Sequence, residues 1–250
     1  MNQPWSLKTE DKRVADSKPT FIIFCEDTVS ECWYFKFFET DKIKVNLIEN
    51  QKSKMDNVIN AIVHCKDNGL FMVDAGGNEI LNSSDIHIWC VFDRDIGDAS
   101  EVSKGDVSFD ESIKTAKSKG FKVAWSNDAF ELWVLLHIEK VDATDVNYKT
   151  REYYYERLTR IFSTVPNPNQ DLEKALKHES FGYKKDLKKA TNFRTIVRPY
   201  IIPHTYTAIN RAKDLEKYHH AKLHDNEKVP CTLVYELVEE LLATGGKIPE

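Results

Sequence analysis

Four short apolar runs, each followed by residues at helical spacing, constrain the fold of this chain more than any other feature. They are FIIFC (21–25), KVNLIEN (44–50), IHIWCVF (86–92) and FKVAWSN (121–127). All have strand length and are rich in β-branched or aromatic residues. After FIIFC, the residues Val29, Trp33, Phe37 and Cys32, Tyr34, Phe38 recur at the helical period, with Thr28 or Ser30 as the cap. Residues 54–68 predict a helix closed by Gly69, residues 109–119 a helix ended by Gly120, and AFELWVLLHIE an apolar helix. Strand and helix in alternation predict an α/β layer with a mostly parallel, four-stranded sheet. The segment 70–84 stays open between a continued helix and a loop around Gly76-Gly77, and residues 96–108 read as a loop.

Beyond residue 148 the strand signal fades and five stretches read as helices, from YKTREYYYERLTRIFS to TLVYELVEELLAT. The expected organisation is a loose lead-in over residues 1–18, an α/β domain over 19–148, and a helical region over 149–250 packed on it. The chain is 250 residues long and 41% hydrophobic, enough for a sizeable core. No apolar run reaches the roughly 18 residues of a membrane span. The first residues, MNQPWSLKTEDKRVADSK, are polar and mixed in charge, unlike a secretory signal. Five scattered cysteines with no CxxC pair point to free thiols in a reducing cytoplasm.

Charge divides the chain. Residues 1–148 carry 17 basic against 26 acidic side chains, whereas residues 149–228 carry 17 against 10. The basic segment is interleaved with aromatics such as Tyr153, Tyr154, Tyr155 and Tyr183. That mixture suits phosphate contact with base stacking, and Lys184, Lys185, Lys188, Lys189, Arg194 and Arg198 are the candidate nucleic-acid contacts. The plainer reading is a solvated helical face over core tyrosines. His220 and His224 stand at helical spacing but without an HExxH motif, so zinc is not indicated, and no P-loop is present.

Open parallel sheets bind ligands at the carboxyl ends of their strands. Glu26 follows FIIFC, Asp93 and Asp95 follow IHIWCVF, and Glu131 comes soon after FKVAWSN. These four acids converge if the three strands are neighbours. Residues two apart in extended backbone share a side, so Asp93 and Asp95 should point together with Arg94 away. Bunched carboxylates repel unless a cation sits among them, and Mg²⁺ (or Mn²⁺) is the natural choice. Such an ion could act on a phosphodiester. Against this, an Asp-x-Asp pair can simply end a strand, Glu31 can merely favour a helix N-terminus, and Asn127 can serve a turn. His137 lies on an apolar helix, where a satisfied core histidine is the usual finding. Lys104, in the loop after the pair, is a generic candidate for steadying a phosphoryl transition state.

Four stretches resemble the RloB-like family: CEDTVSECWYF, VFDRD, SNDAFELWVLLHIE and PCTLVYELVEEL, spanning residues 21 to about 242. The SN-x-x-FELW-x-x-LH pattern is the most specific. The resemblance implies a Toprim fold and a Mg²⁺-dependent endonuclease in bacterial antiphage defence. It makes Glu26 the Toprim glutamate and Asp93 and Asp95 the metal-binding pair, with Glu31, Asn127, Glu131 and His137 on matching positions. The chain departs at Asp27, where the family usually has glycine, which eases a tight strand-to-helix turn. The expected partner is nucleic acid, RNA such as tRNA included; a neighbouring ATPase and self-association are compatible with it. The alternative is a non-catalytic module that binds a partner ATPase or a nucleotide signal through the same crevice.

Overall fold

A computed structural model describes residues 18–49, 52–77, 79–82, 85–96 and 106–249. The predicted strands form β1 (Thr20–Cys25), β2 (Lys44–Ile48), β5 (Ile86–Asp93) and β6 (Lys122–Asn127). Between them lie β3 (Phe71–Val73) and β4 (Glu79–Leu81), an antiparallel hairpin. This corrects the expectation of a helix or loop over 70–84; with only three residues per strand and much of both exposed, the pair is too short to show a strand period.

The main sheet has five strands and not four, in the order β2-β1-β5-β6-β7. Its fifth member, β7 (Cys231–Thr232), pairs antiparallel with β6; all other neighbours are parallel. The sheet therefore takes its last strand from beyond residue 148. β1, β5 and β6 are almost wholly buried, which is why their sequences read as continuous apolar runs and not as alternating ones.

The first helices are α1 (Ser30–Phe35), α2 (Lys54–Asp67), α3 (Val107–Ser118) and α4 (Glu131–Ile138). Gly69 at φ +63° and Gly120 at φ +78° close α2 and α3 in the left-handed region that side chains disfavour. α2 and α3 pack side by side, α2 on β5 and α3 on β6. Asn57 of α2 is buried and donates to the carbonyls of Phe24 and Val91, both at 3.1 Å, which ties β1 to β5 near their carboxyl ends.

The helical region contributes α5 (Arg151–Ser163), α6 (Gln170–Leu176), α7 (Ala190–Asn192), α8 (Arg198–Ile201), α9 (Thr205–Tyr218) and α10 (Val234–Thr244). The stretch that reads as one helix from Lys185 to Ile201 is broken: Tyr183–Leu187 and Phe193–Val197 wind as wide π turns on either side of α7. α9 packs on α4, and α10 lies on β6 and is joined to β5 through Glu240, which accepts from Trp89 Nε1 at 3.0 Å. The five cysteines are all free and buried. Among the described residues no helix is long and apolar enough to cross a membrane.

Candidate active site

Because β1 and β5 are parallel neighbours, with Cys25 opposite Val91, the residues that follow them emerge at one edge. The Asp93 N–H donates to Glu26 Oε2 at 3.1 Å. Asp93 Oδ2 accepts from the Phe130 N–H at 3.0 Å, which joins the end of β5 to the head of α4, where Glu131 stands. Glu31 comes back toward β1 through the Asp27 N–H, which donates to its Oε2 at 3.2 Å. Asp27 Oδ1 accepts from the Val29 N–H at 2.7 Å, so the aspartate itself holds the strand-to-helix turn.

Asp95 departs from the expected geometry. Its φ is +56°, so the strand has ended and the residue does not share a side with Asp93 by extended spacing. Its carboxylate meets Arg151 of α5 instead. Arg151 also pairs with Asp128, its Nη2 lying 3.0 Å from Oδ1 and its own N–H donating to Oδ2 at 2.8 Å. A second base enters from the helical region: Lys188 Nζ lies 2.9 Å from Glu131 Oε1 and 3.1 Å from Asp27 Oδ2. The carboxyls of Glu26, Asp27, Glu31, Asp93, Asp95, Asp128 and Glu131 thus cluster around two cations, Arg151 and Lys188.

Burial, then the nearby Asp95 charge, pushes Glu26 up to about 8, while the Asp93 N–H and Arg151 pull partly back. Asp93 is held well above the usual carboxylate range by burial and by Glu26, Asp95 and Glu131. Glu31 is raised too, by burial and then by Asp93, Asp27 and Glu26. Glu26 is therefore largely protonated at neutral pH. Burial works against the ammonium of Lys188 and the guanidinium of Arg151, but their carboxylate partners outweigh it and hold both pKa values above the ordinary range. Glu31 Oε1 and Glu131 Oε2 are buried and accept no hydrogen bond.

The donor set is all oxygen, the chemistry that suits a hard divalent ion. Among the described residues no three acid, His or Cys side chains converge as a ready-made metal cage. Mg²⁺ does not need one, since it keeps several waters and takes one or two protein carboxylates. Glu26 and Asp93, joined by the Asp93 N–H, fit such an ion; Asp95 lies beside Glu26 with its carboxylate paired to Arg151.

The remaining predicted residues lie as follows. Asn127 donates to the carbonyls of Asp225 and Lys228 at 2.8 and 2.9 Å, which fastens the end of β6 to the segment before β7. Both ring nitrogens of buried His137 are engaged, Nδ1 with the Trp133 carbonyl at 2.8 Å and Nε2 with the Tyr34 hydroxyl at 3.0 Å, and burial lowers its pKa to about 3. That is a neutral core histidine. Lys104 lies outside the described residues.

Of the six basic candidates for nucleic-acid contact, Lys188 is turned into the acid cluster. Lys184 lies over the Tyr155 ring at 5.1 Å, and Lys189 pairs with Asp186 at 3.3 Å. Lys185 bonds to Ser180 Oγ. Arg194 and Arg198 stand over Trp33 at 5.0 and 6.0 Å. Sequence reasoning missed Arg151, Asp128 and the Asp27–Lys188 pair. Asp128 had a signal in its place directly after β6; Arg151 and Lys188 had none, because their partners lie far away in the chain.

A cleft of about 930 Å³ lies elsewhere, beside α3 and the segment after α9; Asp110, Lys149, Lys222 and His224 are among its lining residues, and none of the clustered acids is. The fold and site define an α/β protein with a buried acidic cluster at the carboxyl edge of a mostly parallel sheet, cross-linked by bases from its helical region. The family model for RloB-like protein matches residues 21–241, and the chain belongs to that family. No curated protein matches the chain. No solved structure matches it either.

Proposed function

We propose that this chain is a Toprim-type nuclease that hydrolyses phosphodiester bonds in nucleic acid with a divalent cation, Mg²⁺ or Mn²⁺. The observation that carries the reading is the linked pair Glu26–Asp93 at the ends of two parallel strands, buried, with proton affinity raised by burial, in the cluster that Arg151 and Lys188 enter. A phosphodiester is itself an anion and is repelled by such a cluster unless positive charge is added. A bound divalent ion would polarise the phosphoryl oxygen and ease formation of hydroxide from water. Glu26 and Asp93 would hold it. Arg151, released from Asp95, would leave that carboxylate to support the ion and its own guanidinium to meet the phosphate.

Support for a nucleic-acid substrate comes from cation–ring pairs outside the cluster. Arg194 and Arg198 over the half-buried Trp33 place a base-stacking ring beside phosphate-binding charges. Single-stranded or looped RNA, tRNA included, suits such contacts. A role in antiphage defence, alongside an ATPase encoded nearby, follows from family membership as a proposal. The free, buried thiols fit a cytoplasmic setting.

The test is incubation with tRNA, total RNA, plasmid and single-stranded DNA, with and without Mn²⁺. Metal-dependent cleavage that is abolished by Asp93→Ala or Glu26→Ala, with folding retained, supports the reading. Equal cleavage by both variants sinks it. The engagement of Asp95 by Arg151 favours a second reading, a non-catalytic module that binds a partner ATPase or a nucleotide in this crevice. No cleavage of any substrate, with tight binding to such a partner, would select it.

A further inference from the structure

The cluster has two halves. One is Glu26 with Asp93, whose only direct link is the Asp93 N–H on Glu26. The other is Asp27 with Glu131, and there a cation is already present: Lys188 Nζ stands 3.1 Å from Asp27 Oδ2 and 2.9 Å from Glu131 Oε1. We propose that Lys188 is a tethered cation that fills the Asp27–Glu131 half, so that the site takes one divalent ion, on the Glu26–Asp93 half, and not two. The proposal rests on the nuclease reading in one respect, that a divalent ion binds at the strand ends.

Lysine suits the part. Its ammonium is a compact point charge with three donors, closer in shape to a metal ion than the flat guanidinium of arginine is. The ammonium stands within ion-pair distance of carboxylates from separate elements, the turn after β1 and the first turn of α4. The Tyr155 ring lies 5.9 Å away and offers its face to the same charge.

The backbone that delivers Lys188 is firmly held. The wide turn Tyr183–Leu187 ends in the Lys188 N–H, which donates to the Tyr183 carbonyl at 2.9 Å. Tyr183 is fully buried and stacked with Tyr155. Asp186, also buried, accepts from the Gly182 N–H at 3.1 Å. Any ion seated between Asp27 and Glu131 would have to share its oxygens with this ammonium at close range and against direct repulsion.

Asp27 gains a purpose from this arrangement. Glycine at that position would leave Lys188 with Glu131 alone. The aspartate supplies the second anchor, and its charge is matched and not left over. Three more polar atoms around the pair, Glu131 Oε2, Glu31 Oε1 and the Tyr183 hydroxyl, are buried and unpartnered. Without the ammonium, the Asp27 and Glu131 carboxylates would be left as the one or two protein ligands that a hard cation keeping its waters takes.

The experiment is a Mn²⁺ titration of the full chain, with free ion followed by electron paramagnetic resonance and stoichiometry checked by calorimetry. The expected results are one ion per wild-type chain and two per Lys188→Met chain. In the double variant Lys188→Met with Asp27→Gly the second ion should be lost. Circular dichroism establishes that the variants are folded, and Lys188→Gln serves in place of Lys188→Met if the latter is not. Two ions on the wild type, or one on a folded Lys188 variant, overturns the tethered-cation proposal and leaves the nuclease reading standing. No ion on the wild type overturns both.

Discussion

Glu26 and Asp93 are joined across the β1–β5 boundary, the Asp93 N–H donating to Glu26 Oε2 at 3.1 Å. The bond fixes one acid by the backbone of the other, so the pair responds as a unit to whatever charge enters. Burial raises the proton affinity of both; the Glu26 charge raises Asp93 further, whereas the Asp93 N–H pulls Glu26 partly back.

Proton release should therefore accompany cation binding. Glu26, with its pKa pushed up to about 8, is largely neutral at pH 7, and a metal ligand must be ionised. Calorimetric titration with Mn²⁺ in buffers of different ionisation enthalpy should show release at pH 7 and progressively less above pH 8. A heat independent of buffer would contradict this.

Stability should depend on pH in a definite direction. A carboxyl whose pKa is higher folded than unfolded stabilises fully below its unfolded value, and that contribution is lost as pH rises through the folded value. For Glu26 the window runs from 4.5 to about 8. In urea titrations, the stability gained by Glu26→Gln over the wild type should grow across that window and then level off.

Asp93→Asn should separate stability from activity. The amide oxygen can still accept from the Phe130 N–H, while a carboxyl disfavoured by burial and three neighbouring acids is gone. A gain of about 1 kcal/mol at pH 8, of the size usual when a strained site is relaxed, is expected with loss of cleavage. Chemical denaturation and a nuclease assay on the same preparation check both halves.

Arg151→Ala should be costly. It leaves Asp128, fully buried, without its cation, and breaking one side of a buried pair costs about 3–5 kcal/mol. The neighbouring Ile96 and Arg151 N–H bonds to Asp128 limit the damage to the low end of that range. Arg151→Lys should recover part of the loss, since lysine keeps the charge but not the fork.

Nucleic-acid affinity should fall when Lys184 or Arg194 is replaced by alanine, equally across sequences. The slope of log affinity against log salt should drop by about 1 for each phosphate contact removed. Filter binding at several salt concentrations measures it; an unchanged slope would place the interface elsewhere.

How much of this could be read in advance differs by element. FIIFC, IHIWCVF and FKVAWSN are interior strands of a parallel sheet, so their composition announces them, and the acids that follow fall where the strand-end rule puts them. β7 could not be read: it is two residues long and runs straight into the apolar pattern of α10. The departure of Asp95 was hidden because its left-handed backbone breaks the two-residue alternation on which the expectation stood. Arg151 and Lys188 looked like surface bases of a helical region, since no local pattern reports a partner 56 residues off, as Asp95 is from Arg151. The glycine-to-aspartate departure was visible, but its meaning depended on Lys188 and so on the tertiary fold.

The position of β7 and Lys188 late in the chain has a consequence for synthesis. When the acids of β1, β5 and α4 have left the ribosome, neither Lys188 nor the strand at Cys231–Thr232 that closes the sheet has been made. A nascent chain at that stage holds the carboxylates without the base that balances them and with the outer edge of β6 uncovered. The finished site thus arises only once Lys188 and β7 have followed α4 out of the ribosome, and a product terminated before them lacks it.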